Sequence, residues 1–194
     1  MFLLINCLIV NALAATCTEG GTAKNNCADG KCEMVSTTEI CTQCKPTFVP
    51  INGKCTAKAE ASAANCKKAN GSDLTDDDTK CGKCEGATFM YKGGCYDKTG
   101  DLGQVICKTP GSSNGICQDC QAGYFKNPVE NIDATHQSCI ACNETTAVDN
   151  NLGVANCAEC TAPTTSGSSG NNQKAKCTAC VDGYLVTNDG AACT

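Results

Sequence analysis

Apolar residues occur along this chain as one early run and then as short, separated clusters. The run is the first fourteen residues, MFLLINCLIVNALA; beyond it Leu, Ile, Val and Phe are sparse among Gly, Asn, Thr, Ser and Ala. The clusters that recur lie inside four versions of one phrase: CTQCKPTFVPINGKC, CGKCEGATFMYKGGC, CQDCQAGYFKNPVENIDATHQSC and CTACVDGYLVTNDGAAC. Each opens with a C-x-x-C pair and places an aromatic four or five residues after the second cysteine, at Phe48, Phe89, Tyr124 and Tyr184. Three copies then carry glycine just before the closing cysteine, at Gly53, at Gly93 and Gly94, and at Gly190; the third copy has none there and a longer loop. Asn52-Gly53, Gly93-Gly94 and Asp189-Gly190 are turn dipeptides, so the pattern predicts a short β-hairpin in each copy. The aromatic begins a strand and covers a disulfide, glycine makes the turn, and the chain returns to the closing cysteine. The segment AKAEASAAN, ending at Asn65, favours one or two turns of helix through its Ala, Lys and Glu.

Composition explains why the clusters stay small. With aromatics at 4% and no Trp, burial of apolar surface alone does not offset the entropy of ordering a backbone, ~1–2 kcal/mol per residue. Cysteine takes over: 21 of the 194 residues, a density that marks a disulfide scaffold held in an oxidising compartment. The apolar start, ending in Ala12-Leu13-Ala14, reads as a secretory signal peptide over residues 1–14 and is too short to span a bilayer. Its removal takes away Cys7 and leaves an even number of cysteines, which suits complete pairing. The net charge of -5 and pI of about 4.8 argue against nucleic acid and anionic membranes as partners.

Bonding within one C-x-x-C would make a tight ring of the redox type. With that excluded, the simplest scheme pairs the cysteines in chain order: Cys17–Cys27, Cys32–Cys41, Cys44–Cys55, Cys66–Cys81, Cys84–Cys95, Cys107–Cys117, Cys120–Cys139, Cys142–Cys157, Cys160–Cys177 and Cys180–Cys193. Interleaved pairings stay open, above all around Cys17, Cys27 and Cys32. The expected fold is small and disulfide-rich, mostly loops and short β-hairpins with little helix, arranged as an extended rod of tandem modules. The modules are expected over residues 15–65, 66–107, 108–156 and 157–194. The Ser/Gly/Thr/Asn-rich segment 161–176 reads as an exposed loop.

Little of this composition points to catalysis. Paired C-x-x-C knuckles can hold Zn²⁺ through thiolates, which makes Cys41, Cys44, Cys81 and Cys84 the alternative metal ligands; no other cofactor is expected. His136, the single histidine, has no evident partner, and Asp73, Asp76, Asp77 and Asp78 lack EF-hand spacing. No free Cys/His pair, Ser/His/Asp set or phosphate loop is present, so the chain reads as a non-enzyme. Asn70-Gly71-Ser72 and Asn143-Glu144-Thr145 are N-glycosylation sequons in loops.

The repeated C-x-x-C, the Gly-Gly-Cys-Tyr tetrapeptide at Gly93 to Tyr96 and the apolar leader together resemble the variant-specific surface proteins of diplomonad parasites. The phrases CQAGY and CVDGY are also similar, more distantly, to furin-like and EGF-like modules. The first resemblance implies a variable antigen or coat protein, resistant to proteases, that reaches the cell surface through the secretory pathway and meets host antibodies and proteases. It also implies metal held through C-x-x-C, which keeps the zinc alternative in view. The family ends in a transmembrane helix and a short cytoplasmic tail, whereas this chain stops at Thr194, so an anchorless or secreted ectodomain is expected, with membrane attachment only through an anchor beyond it. The competing reading is an EGF-like or furin-like module that binds a host or self protein, with Tyr91, Tyr96 and Phe125 as its surface anchors.

Overall fold

The structure, a computed structural model, describes residues 17–18 and 21–194; the leader expected over residues 1–14 lies outside the described residues. A single four-cysteine unit, used four times, organises the chain. An opening cysteine bonds the first cysteine of a C-x-x-C, and the second bonds the cysteine that closes the following hairpin. The four units are Cys27–Cys41 with Cys44–Cys55, Cys66–Cys81 with Cys84–Cys95, Cys107–Cys117 with Cys120–Cys139, and Cys157–Cys177 with Cys180–Cys193.

The backbone repeats with the sulfurs. In the first unit Cys27 bridges Cys44 across the chain, around a hairpin of β1 (Cys32–Val35) and β2 (Thr38–Cys41). The phrase itself then forms β3 (Phe48–Ile51) and β4 (Lys54–Ala57), followed by helix α1 (Lys58–Ala63), where Ala, Lys and Glu favour helix. The second unit pairs β5 (Cys66–Lys67) with β6 (Lys83–Cys84) and folds β7 (Thr88–Tyr91) onto β8 (Gly94–Asp97) before α2 (Asp101–Ile106). The third pairs β9 (Cys107–Thr109) with β10 (Asp119–Cys120), then β11 (Tyr124–Lys126) with β12 (Cys139–Ala141). A parallel contact of β13 (Asn151–Leu152) with β15 (Gln173–Lys174) leads into the fourth, where β14 (Cys157–Thr161) pairs β16 (Lys176–Cys180) and β17 (Val186–Thr187) pairs β18 (Ala192–Cys193). The fold is thus mostly strands and loops, with two short α-helices and two single 3-10 turns among the described residues, as the sequence implies.

Chain-order pairing needs correcting at both ends. Cys17 bonds Cys32 and Cys27 bonds Cys41, not Cys17–Cys27 and Cys32–Cys41; Cys142 bonds Cys160 and Cys157 bonds Cys177, not Cys142–Cys157 and Cys160–Cys177. Strand register supplies the reason. Cys32 lies opposite Cys41 across β1–β2, and Cys160 lies opposite Cys177 across β14–β16. Those hairpins are already closed by backbone hydrogen bonds, and their sulfurs turn away to tie down flanking chain at Cys17 and Cys142. The Cα–Cα separations of the bonded pairs fall between 5.1 Å and 5.9 Å, the usual span for a disulfide.

Neighbouring units are fastened to each other. β3 and β8 pair in parallel at Ile51 and Cys95, which makes one four-stranded sheet in the order β4-β3-β8-β7. Phe89 bridges Gly115, and Met90 bridges Gln137. Gly115 has φ +72, and a Cβ there would sit 2.2 Å from the Cys84 carbonyl oxygen, so only glycine allows this approach of two units. The largest apolar cluster gathers Val35 and Ile40 from the first unit, Phe89, Tyr91 and Tyr96 from the second, and Ile106, Cys117 and Cys139 around the third.

Candidate functional site

The second hairpin is the point where the units converge. Lys92 and Gly93 form its turn, with φ 49 and φ 74, and the Lys92 side chain reaches residues outside its own hairpin. The ammonium pairs with Glu33 of β1 at 2.8 Å and with Glu144, which follows Cys142. Lys92 and Glu144 are largely buried while Glu33 is half exposed. Glu144 also accepts the Thr146 N–H at 2.8 Å, so the buried carboxylate is well supplied with donors. The Lys92 backbone N–H donates to Gln137 Oε1 at 2.8 Å. Burial pushes the Lys92 pKa down, but the two carboxylates outweigh it and hold it above its ordinary value.

Aromatic rings pack beneath this clamp. Tyr91 meets Tyr96 edge-on at 5.7 Å and Tyr124 at 6.0 Å between ring centroids. Burial raises the pKa of all three phenols. Beside them lies an open groove of about 850 Å³, lined among others by Glu33, Met34, Tyr124, Asn143 and Val181. Tyr91, Tyr96 and Phe125, expected as surface anchors, are therefore core residues, each no more than 3% exposed. The Tyr96 hydroxyl has no hydrogen-bond partner among the described residues. A buried orphan hydroxyl costs about 1–3 kcal/mol, so Tyr96→Phe should raise stability by about 1 kcal/mol in a urea melt; a loss of stability would reveal a partner for that hydroxyl.

Of the remaining candidates, Asn143 adjoins the clamp, one residue before Glu144 and on the same groove. Asn70 and Asn143 are both exposed; Asn70 Oδ1 accepts the Ser72 hydroxyl at 2.7 Å and the Ser72 N–H at 3.0 Å. Asp73 pairs with Lys67 at 2.6 Å and Asp78 with Lys68 at 3.4 Å, while Asp76 pairs with Lys58, so three of the four acidic side chains already have cations. His136 Nδ1 lies 2.8 Å from Asp133, and hydrogen bonds from Thr135 together with His136 hold the Asp133 pKa at about 2. Cys41, Cys44, Cys81 and Cys84 sit in four different disulfides. Neighbouring bridges do bring sulfurs together, Cys55 to Cys41 at 3.4 Å and Cys177 to Cys193 at 3.4 Å. A sulfur bonded to sulfur offers no thiolate, so the zinc alternative requires these bridges to be open. Among the described residues no helix is long and apolar enough to cross a membrane.

A different surface emerges at the end of the chain. Val181, Tyr184, Leu185 and Val186 are exposed, Leu185 at 75%. Tyr184 occupies the aromatic position of the phrase, yet it is uncovered where Phe89 is fully buried. The sequence treats these positions alike; among the described residues Phe89 belongs to the largest apolar cluster and Tyr184 to none.

No family model matches the chain, and no solved structure does. Two curated proteins of Giardia intestinalis are similar to it. The variant-specific surface protein VSP4A1 is 38% identical over 187 residues, which covers 94% of this chain and 26% of that protein. The major surface-labeled trophozoite antigen 417 is 35% identical over 175 residues, 82% of this chain and 23% of that protein. The chain thus spans about a quarter of the length of these relatives. Built on repeated stapled units and alike to these proteins over most of its length, the chain is a cysteine-rich homologue of the Giardia variant-specific surface proteins.

Proposed function

We propose that this chain is a protease-resistant segment of a variable surface coat, whose exposed loops change so that host antibodies against one form fail on another. It performs no catalysis in this reading. The supporting observation is the division of labour along the chain. The cysteines are buried or half-buried, whereas the segment 161–176 between them is mostly exposed and contributes one fully buried side chain, Ala175. Substitution at exposed positions away from packed groups usually changes stability by less than about 0.5 kcal/mol. Such loops are free to differ while the scaffold that excludes host proteases stays the same. The competing reading, a module that binds a host surface protein, has less support, because its three expected anchors are core residues.

A panel with residues 168–172, all exposed, replaced by unrelated polar sequence tests the proposal; Gly167 is kept, because a Cβ there would sit 1.9 Å from the Asn150 carbonyl oxygen. Antibodies raised against the parent chain should lose at least about tenfold in affinity for the panel, equivalent to about 1.4 kcal/mol, while the half-life in trypsin stays unchanged. Unaltered antibody binding across the panel, or collapse of trypsin resistance in it, would count against a variable coat.

A further inference from the structure

The groove beside the clamp gathers apolar side chains that most of the surface lacks. Six large apolar residues are exposed among the described residues, and three of them, Met34, Val105 and Val181, line this groove. They come from distant parts of the chain: Met34 from β1, Val105 from α2 and Val181 from just after Cys180. The half-buried Tyr124 of β11 joins them. Apolar side chains converging on a concavity of about 850 Å³ fit the dimensions of a small-ligand seat, ~300–1,000 Å³.

One wall of the groove is a sequon. Asn143 and Thr145 are both exposed and both line it, while Glu144 between them is buried and paired with Lys92. The clamp thus leaves the two residues that an N-glycosylation signal requires on the groove side of the chain. Among the described residues no hydrogen bond engages the Asn143 amide or the Thr145 hydroxyl. The other sequon differs on both counts. Asn70 Oδ1 already accepts the Ser72 hydroxyl and N–H, and Asn70 lies away from the groove.

We propose that Asn143 carries an N-glycan and that its first sugars lie in this groove, against Met34, Tyr124 and Val181. The sugar is attached while the chain is still unfolded, on entry into the secretory pathway. Asn143 Nδ2 forms a bond to the anomeric carbon of N-acetylglucosamine. The bond from that carbon to the diphosphate of a polyprenyl-linked donor breaks, the polyprenyl diphosphate leaves, and the amide proton passes to a base of the transferase. Folding then closes the groove around the sugar. N-acetylglucosamine presents C–H groups and an acetyl methyl to the apolar side chains, and hydroxyls to the half-exposed Glu33 carboxylate and to water. A group tethered this closely faces the groove at an effective concentration on the order of mM, so weak contacts are enough to seat it. The seated sugar covers apolar surface that is otherwise open to solvent. The inference requires export of the chain and is independent of any variation in segment 161–176.

The full chain secreted from glycosylating eukaryotic cells tests both the site and the seat. Trypsin separates the two sequons, because Lys68 and Lys80 bracket Asn70 whereas Lys126 and Lys174 bracket Asn143. Mass spectrometry should find sugar on the peptide that holds Asn143, and Thr145→Ala should remove it. Peptide N-glycosidase should release that sugar from the folded chain about tenfold more slowly than from the reduced, alkylated chain, since the enzyme reaches only the unseated fraction. Met34→Lys alters a side chain that is 60% exposed, so the fold and the occupancy stay as they are. It should speed release from the folded chain several-fold by unseating the sugar. Isotope-edited NMR should place the N-acetyl methyl against the Tyr124 ring. An unmodified Asn143 overturns the site; release that Met34→Lys leaves unchanged, with no contact between sugar and ring, overturns the seat.

Discussion

Reduction of the disulfides is expected to unfold this chain and make it fully sensitive to trypsin, in buffer where the oxidised chain resists digestion. The fifteen basic residues are all lysines, spread from Lys24 to Lys176, so cleavable bonds exist throughout the sequence. What protects them is the closure of short loops. The ten bridges span sequence separations from 10 to 20 residues, and in the chain-entropy model a loop of that size contributes roughly 3 kcal/mol. A typical domain has only about 5–15 kcal/mol of net stability, so the loss of several bridges leaves nothing in reserve. The apolar clusters cannot substitute, because cysteine is itself a member of most of them: Cys66, Cys81, Cys84 and Cys95 make up half of the cluster around Val49 and Met90. Comparing digestion with and without reductant by mass spectrometry checks this; equal rates would show that burial, and not cross-linking, carries the fold.

Lys92→Met should destabilise the oxidised chain by about 3–5 kcal/mol, the cost of leaving a buried carboxylate without its cation. The abandoned group is Glu144, whose side chain is 6% exposed; Glu33, at 47%, stays in water and loses little. Adding Glu144→Gln to the Lys92→Met chain should restore most of the loss, since it removes the stranded charge and keeps an oxygen for the Thr146 N–H. Urea denaturation of both variants makes the comparison, and a second substitution that brings no recovery would show that the Lys92 stem, not its charge, mattered. The same clamp sets the alkaline limit. The folded pKa of Lys92 lies above its ordinary value, and burial raises those of Tyr91, Tyr96 and Tyr124. A group with a raised folded pKa stabilises fully below its unfolded value and loses that contribution as the pH climbs through the folded one. Stability should therefore hold through neutral pH and begin to fall above about pH 10, near the unperturbed values of Tyr and Lys.

Much of the local structure is legible in the sequence. The Asn-Gly and Gly-Gly punctuation marks turns that the structure builds at Asn52-Gly53 and Lys92-Gly93, one residue early in the second case because Gly94 belongs to β8. The helix-favouring segment after Thr56 becomes α1. Pairing is readable wherever a cysteine has its partner next in line, as for Cys44 with Cys55 and Cys84 with Cys95. It is not readable at Cys17, Cys32, Cys142 and Cys160, because the number of cysteines is even under either scheme and only strand register tells that Cys32 faces Cys41 without bonding it. The clamp is invisible for a related reason: Lys92 stands 59 residues from Glu33 and 52 from Glu144, and no local pattern encodes that meeting. Tyr91 and Tyr96 look like surface anchors in the sequence because a module considered alone has no neighbour to cover them.

The four-cysteine unit tolerates very unequal spacing. The bridge from its opening cysteine encloses 14, 15, 10 and 20 residues of separation in the four copies, and the closing bridge 11, 11, 19 and 13, with nearly constant Cα–Cα distance. Doubling a flexible loop costs only about 0.6 kcal/mol. Insertions and deletions between the knots are thus as cheap for this architecture as swapped side chains, so diversification can proceed by changing the length of a segment, with the knots acting as fixed splice points between interchangeable pieces.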